Sequence, residues 1–261
     1  MVIKRIAVVA AAAIVIWAGA EPARADFSDS WTESYGQLTR IYVSPGSLNG
    51  VACNLVDYKG LRGDPRFKKL RRGLARLPSF STLPERKRLA LWLNIYNFLV
   101  ISLVVDHPGL KNPLEIRKGG KAVWHLPAGE VAGKTHSLHG IDRVILRYRF
   151  KDPHVHFALT KGMVSSPDLR PEPYQADKLD DQLREQMKSF FSNPGKGKRI
   201  ERAATGGALH ISTIFDWFKR DFGNDPRAWL LNRQLISPDD ARLPLRFLTF
   251  DFTLNAQPDR N

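Results

Sequence analysis

The chain has 261 residues, 43% of them hydrophobic, and 40 lysines and arginines stand against 26 aspartates and glutamates for a formal charge of +14. That length is enough for one globular domain, or two small ones, with a substantial core. Nineteen glycines and 17 prolines with no repeat period exclude a collagen-like, disordered or solenoid chain.

The N-terminus carries the clearest signal. Lys4 and Arg5 precede an apolar run from Ile6 to Ala20, and Ala23-Arg24-Ala25 is a small-x-small site. This pattern reads as a secretory signal peptide over 1–25, cleaved after Ala25. The run is shorter than the roughly 20 apolar residues of a membrane span, and Glu21 and Pro22 end it, so no stable span is expected after cleavage. Its short, alanine-rich form points to a bacterial envelope and a periplasmic location. Without residues 1–25 the mature chain keeps 37 basic and 25 acidic residues, a charge of +12. An exported protein of that charge meets phospholipid headgroups and anionic wall polymers, so an anionic envelope component is the expected partner and nucleic acid is not. An even spread of bases also serves solubility alone.

Residues 26–59 are expected to form an N-terminal helical extension, because Phe27, Trp31, Tyr35, Leu38, Ile41 and Tyr42 recur at helical spacing until Ser44-Pro45-Gly46. Cys53 is the single cysteine and follows a turn into an apolar stretch, which favours a buried thiol over a reactive one. Asp64 before Pro65 caps a second helix with Phe67, Leu70, Leu74 and Leu77 on one face. Thr82 and Glu85 have capping-box spacing ahead of the most apolar segment, Leu89–Val105. That segment predicts a core helix over 86–106, buried nearly all round, with Asn94 and Asn97 on one face. Burying those amides costs roughly 2 to 7 kcal/mol each without partners, so they either brace a loop or line a site.

Beyond Lys118-Gly119-Gly120, Val123–Leu126 and Glu130–Ala132 suggest a small hairpin, and Ser137–Arg147 a short helix. Val155–Leu159 reads as a strand, Thr160–Pro173 as a loop, and Ala176–Phe191 as a helix. Ala208–Ile211 reads as a strand, Ser212 as the cap of a helix to Phe222, and Leu245–Phe252 as a terminal strand. The expected fold is helix-rich α+β, a single domain over 60–255 with a small antiparallel sheet, followed by a tail at 256–261.

His136, His139, His154 and His156 could in principle ligate zinc or copper, but no acid or cysteine stands at a fixed spacing from them, and no metal or cofactor is expected. Ser165 and Ser166 follow the His156 segment, as a nucleophile follows its base in acyl transfer, although no G-x-S-x-G elbow is present.

The runs LWLNIYN at 91–97, HSLHGIDRVILR at 136–147, DPHVHFALTKGMVSSPDLRP at 152–171, HISTIFDWFKRDF at 210–222 and FDFTLN at 250–255 resemble, in order, the domain of unknown function 547 family. Members occur in bacterial envelopes and in plants, and no general activity is attached to the family. The resemblance implies cysteines in the loop after HFAL, in a form like CGxxSCP; here Lys161 and Ser166 stand at those positions. The expectation is therefore an envelope protein whose polar cleft, near Asn94, Asn97, His156, Lys161 and Ser166, binds an anionic or small peptide-like ligand without turnover. The alternative is a periplasmic hydrolase or acyl-transfer enzyme with Ser166, or else Lys161, as nucleophile, His156 as base, and Asn94, Asn97 or Asp142 holding the imidazole.

Overall fold

The computed structural model describes residues 22–203 and 206–258. The predicted leader therefore lies outside the described residues as far as residue 21. Helix α1 (Pro22–Tyr42) runs into a hairpin of β1 (Val43–Leu48) and β2 (Val51–Val56). Asn49 and Gly50 turn it with φ of 52° and 75°, the left-handed pair that matches hairpin twist. The extension is thus half helix and half hairpin. It joins the main core through Trp31, Tyr35, Leu38 and Val56. Cys53 is buried.

Asp57 caps the short α2 (Tyr58–Gly63), and Asp64 caps α3 (Pro65–Ala75) through a bond from the Arg66 amide. Helix α4 (Glu85–Asp106) is the axis of the molecule. Every residue from Leu89 to Val105 is buried, and each large aliphatic or aromatic side chain among them contributes about 1.5 to 3 kcal/mol of burial. The helix is long and apolar enough to cross a membrane, yet its apolar window is 94% buried inside the protein. The Thr82–Glu85 capping box does not form, and Pro84 is the N-cap without a side-chain bond. The reason is local: Leu83 precedes a proline, which disfavours the α conformation and delays the helix start.

The two-residue strands β3 (Arg117–Lys118) and β4 (Lys121–Ala122) flank Gly119-Gly120. Val123–His125, expected in a strand, is a 3-10 turn, and the larger hairpin is β5 (Pro127–Val131) with β6 (Lys134–Ser137). Ser137 caps a single turn, α5 (Leu138–Gly140), which continues as a π-helix over Ile141–Phe150. The expected strand at 155–159 is instead a helical turn, α6 (Val155–Ala158). Asp152-Pro153 explains this correction. The Asp152 carboxylate accepts the His154 amide, the same Asp-Pro start that opens α3, and it outweighs the β-propensity of Val155 and Phe157.

Helix α7 (Leu179–Ser192) packs on α6. Strands β7 (Lys198–Ala203) and β8 (Gly206–Ile211) are antiparallel, and β9 (Leu245–Phe247) adds to β8 in parallel. The small sheets are otherwise antiparallel, and the terminal strand is shorter than expected. Between β8 and β9 lie α8 (Ile214–Trp217), a 3-10 turn at Lys219–Phe222, α9 (Pro226–Asn232) and α10 (Pro238–Arg242). Two hydrophobic clusters result: a large one around α4, and a second, aromatic one built on Phe157, Phe190, Phe191, Phe215, Phe222 and Trp229.

Candidate functional site

A cavity of about 300 Å³ lies where residues of the two clusters meet. Tyr96 of α4, Trp124 of the 3-10 turn, Leu138, Trp217, Phe218, Phe250 and Phe252 supply its apolar lining. Trp217 and Phe252 are 43% and 37% exposed. The ring centroids of Trp217 and Phe250 are 4.9 Å apart, and those of Phe250 and Phe252 4.8 Å, so the exposed rings form one contiguous aromatic rim.

The π-helix supplies the polar groups. Its i→i+5 bonding widens the turn and sets residues five apart on nearly one face. Ile141 and Leu146 accordingly enter the core, while Asp142 and Arg147 line the cavity. In an α-helix of 3.6 residues per turn, 142 and 147 would diverge widely. Arg147 Nε donates to Asp221 Oδ2, and its guanidinium lies over the Phe218 ring at 4.7 Å. The same Asp221 oxygen is 2.7 Å from His156 Nε2, and the imidazole stacks on Phe218 at 4.2 Å. The bond to His156, reinforced by Arg147, holds the Asp221 carboxyl well below the usual range. Burial pushes His156 down despite that carboxylate.

Lys161 is half-buried, with its ammonium 5.1 Å from the Trp124 centroid and 5.7 Å from that of Phe218. Among the described residues it makes no hydrogen bond and no ion pair. Burial pushes its pKa down; Asp142 opposes the shift and Arg147 adds to it. Asp142 Oδ1 is buried and has no hydrogen-bond partner. The cavity thus presents an unpaired donor and an unpaired acceptor between aromatic walls. His125 and His139 also line it, their rings 4.4 Å apart.

Of the predicted site residues, only Lys161 and Asp142 line the cavity. Asn97 Nδ2 donates to Ala158 O and its Oδ1 accepts the Thr160 amide, both at 3.0 Å. Asn94 makes the same pair of bonds to Tyr174, each at 2.8 Å. The two asparagines therefore brace both ends of the 160–173 loop. Ser166 Oγ donates to Met163 O at 2.6 Å and His156 is bonded to Asp221, so the structure does not join Ser166 to His156. The middle of the loop is fixed by the C-terminal segment: Val164 N donates to Thr253 O, Ser165 N to Asp251 O, and Asn255 N to Gly162 O. Gly162, at φ 69°, makes the left-handed turn that follows Lys161.

The four histidines disperse. His136 packs on Trp92, His139 on His125, His154 bonds Asp152 and His156 bonds Asp221. Among the described residues no group of three or more metal-ligating side chains comes together. A larger open groove of about 610 Å³ lies against α2 and the end of α4, and none of the predicted site residues lines it.

Sequence reasoning did not single out Arg147, Asp221, Trp124, Trp217 or Phe218. The cue for most of them was present, because each of the five family-like runs delivers at least one side chain to the cavity: Tyr96, then Asp142 and Arg147, then Lys161 and Met163, then Trp217 and Phe218, then Phe250 and Phe252. Trp124 lies outside those runs and carried no such cue.

Fold and site together define a helix-rich α+β protein with one aromatic, mixed-charge cavity between its clusters. Residues 80–191 match the family model described as Protein of unknown function, DUF547, and that stretch of the chain belongs to this family. The match includes the runs at 91–97, 136–147 and 152–171; those at 210–222 and 250–255 lie beyond it. No curated protein and no solved structure matches the chain.

The His156–Asp221 pair makes the fold sensitive to acid. A histidine whose folded pKa lies below its unfolded value favours unfolding when it is protonated, so its contribution is complete above about pH 6.5 and declines below it, by up to about 1.4 kcal/mol per pH unit. Asp221, with a lowered pKa, loses its contribution in the same direction at lower pH. The melting temperature is expected to fall between pH 7.5 and 5.5, and His156→Gln to flatten that slope. A slope unchanged in the variant would assign the acid sensitivity elsewhere.

Proposed function

We propose that the cavity binds a small anionic or peptide-like ligand without turning it over, in the cell envelope after removal of residues 1–25. The observation that carries this reading is the Lys161 ammonium facing the cavity with no carboxylate partner of its own. A carboxylate on the ligand completes Lys161, an N–H group completes Asp142 Oδ1, and an apolar or aromatic body fills the space among Trp124, Trp217 and Phe218. Free amino acids and peptide ends offer that combination of groups. Charge-assisted hydrogen bonds of this kind contribute about 1.5 to 3 kcal/mol each.

Titration calorimetry of the full chain with Gly-Phe, benzoate and short wall-peptide fragments tests the reading. Saturable binding that weakens roughly ten- to hundredfold in Lys161→Ala is expected, from the loss of one such bond. Asp142→Asn is expected to weaken the peptide but spare benzoate, which has no N–H to offer. Affinity independent of Lys161 would defeat the proposal. Recovery of the chain from the cytoplasmic fraction of an envelope bacterium would defeat its location.

A further inference from the structure

We propose that Lys161 is a reactive amine that forms a reversible imine with a small aldehyde or ketone held in the aromatic cavity. The proposal rests on the same cavity as the binding reading but asks for covalent chemistry, which that reading does not need.

A lysine amine becomes nucleophilic when its charged form is disfavoured, by removal from water or by a neighbouring cation, and when it can reach a carbonyl carbon. Both conditions meet at Lys161. Its Nζ has no hydrogen bond or ion pair among the described residues, and it borders a cavity of about 300 Å³, large enough for a small aromatic carbonyl compound; the faces of Trp124 and Phe218 beside it favour the ammonium, against the burial and Arg147 that oppose it. Arg147 on the π-helix is the nearby cation. The other charged or titratable groups bordering the cavity are Asp142 from the same helix, His139 from α5, His125 from the 3-10 turn and Tyr96 from α4. Asp142 is the only carboxylate among them, and it makes no ion pair with Lys161. Arg147 Nε is paired with Asp221 Oδ2, which offsets part of its charge. Burial lowers the lysine pKa, which raises the fraction of free amine near neutral pH.

The step balances without an oxidant or a reductant. The neutral Nζ lone pair attacks the carbonyl carbon, a C–N bond forms, and the carbonyl oxygen takes a proton while the nitrogen loses one. The resulting carbinolamine expels its hydroxyl as water, leaving C=N. The nitrogen gives up its two protons, one to the carbonyl oxygen and one to the departing hydroxyl, by way of solvent in the open cavity, whose own bases are Asp142, His125 and His139.

The test is reductive trapping on the full wild-type chain. 4-Carboxybenzaldehyde with cyanoborohydride at pH 7 fixes any imine as a secondary amine, and peptide mapping by mass spectrometry reads each lysine. Lys161 is expected to be trapped at least tenfold faster than exposed Lys69 and Lys188, with its rate reaching half-maximum at lower pH than theirs. Lys161→Arg should abolish that site and leave the others unchanged. Trapping at Lys161 no faster than at Lys69 overturns the proposal, and needs no variant to fold. Calorimetry with Gly-Phe, which bears no aldehyde or ketone, fails or succeeds independently, so loss of the imine and loss of the binding reading are separable.

Discussion

Asp168→Asn is expected to destabilise the protein by about 3 to 5 kcal/mol, the cost of leaving a buried charge without its partner. The charge is that of Lys196, whose side chain is 0% exposed and whose Nζ lies 2.6 Å from Asp168 Oδ1. Its other acceptor is Ser166 O at 3.3 Å, and the same Asp168 oxygen also accepts the Asn54 amide. One carboxylate thus ties together the 160–173 loop, the turn before β7 and strand β2. The reverse change should cost less. In Lys196→Met the remaining Asp168 side chain is 24% exposed, so water can solvate it, and the methionine stem fills most of the vacated space. The double variant is expected to be less damaged than the sum of the singles, since exchange of a whole buried pair for neutral groups is often nearly neutral. Urea denaturation across the four-member cycle measures this, and a midpoint fall of roughly 10 °C for Asp168→Asn is the matching thermal expectation. Additive single effects would show that the pair is not coupled.

The helices that could be read from the sequence were those with strong local signals. Asp64-Pro65 opens α3 as its spelling requires, and the unbroken apolar run makes α4 a core helix, because in both cases the deciding interactions lie within a turn or two of the residues concerned. Errors arose where one local signal overrode another. Pro84 displaced the Thr82 cap, and Asp152-Pro153 turned Val155–Ala158 into a helix although its composition favours a strand. Asn49-Gly50, legible as a turn, is also a strong hairpin signal, and it closes β1 on β2.

The cavity was less legible for a different reason. Lys161 could be singled out because it occupies a position where the family pattern has cysteine, but the cavity walls come from segments as much as 156 residues apart, as Tyr96 and Phe252 show. Asp142 and Arg147 share a face only because the backbone there is a π-helix, and neither composition nor an α-helical period announces that geometry. The polar residues that drew most attention in the sequence, Asn94 and Asn97, instead hold backbone. Their burial costs are met by peptide groups, which a sequence cannot distinguish from a ligand.

Asn97→Ala is accordingly expected to cost about 2 to 5 kcal/mol, and its effect should reach the cavity without Asn97 touching it. The carboxamide acts as a peptide surrogate, donating to Ala158 O and accepting from Thr160 N. Asn97, Ala158 and Thr160 are all buried, so neither orphaned backbone group can turn to water, and each carries a desolvation penalty of about 1 to 3 kcal/mol. Asn97→Asp keeps the acceptor for Thr160 but sets a carboxylate oxygen against the Ala158 carbonyl, replacing a bond by repulsion, and should be no milder than alanine. The next residue after Thr160 is Lys161. Once the Asn97 clamp is gone, the ammonium is no longer fixed between Trp124 and Phe218, so binding of benzoate or Gly-Phe should weaken under conditions where the variant is still folded. Asn94→Ala provides the control: it removes an equivalent pair of bonds at Tyr174, at the far end of the loop, and should lower the melting point comparably while affecting ligand affinity less. Equal losses of affinity in both variants, measured by calorimetry well below their melting temperatures, would mean that Asn97 supports general stability and does not position Lys161.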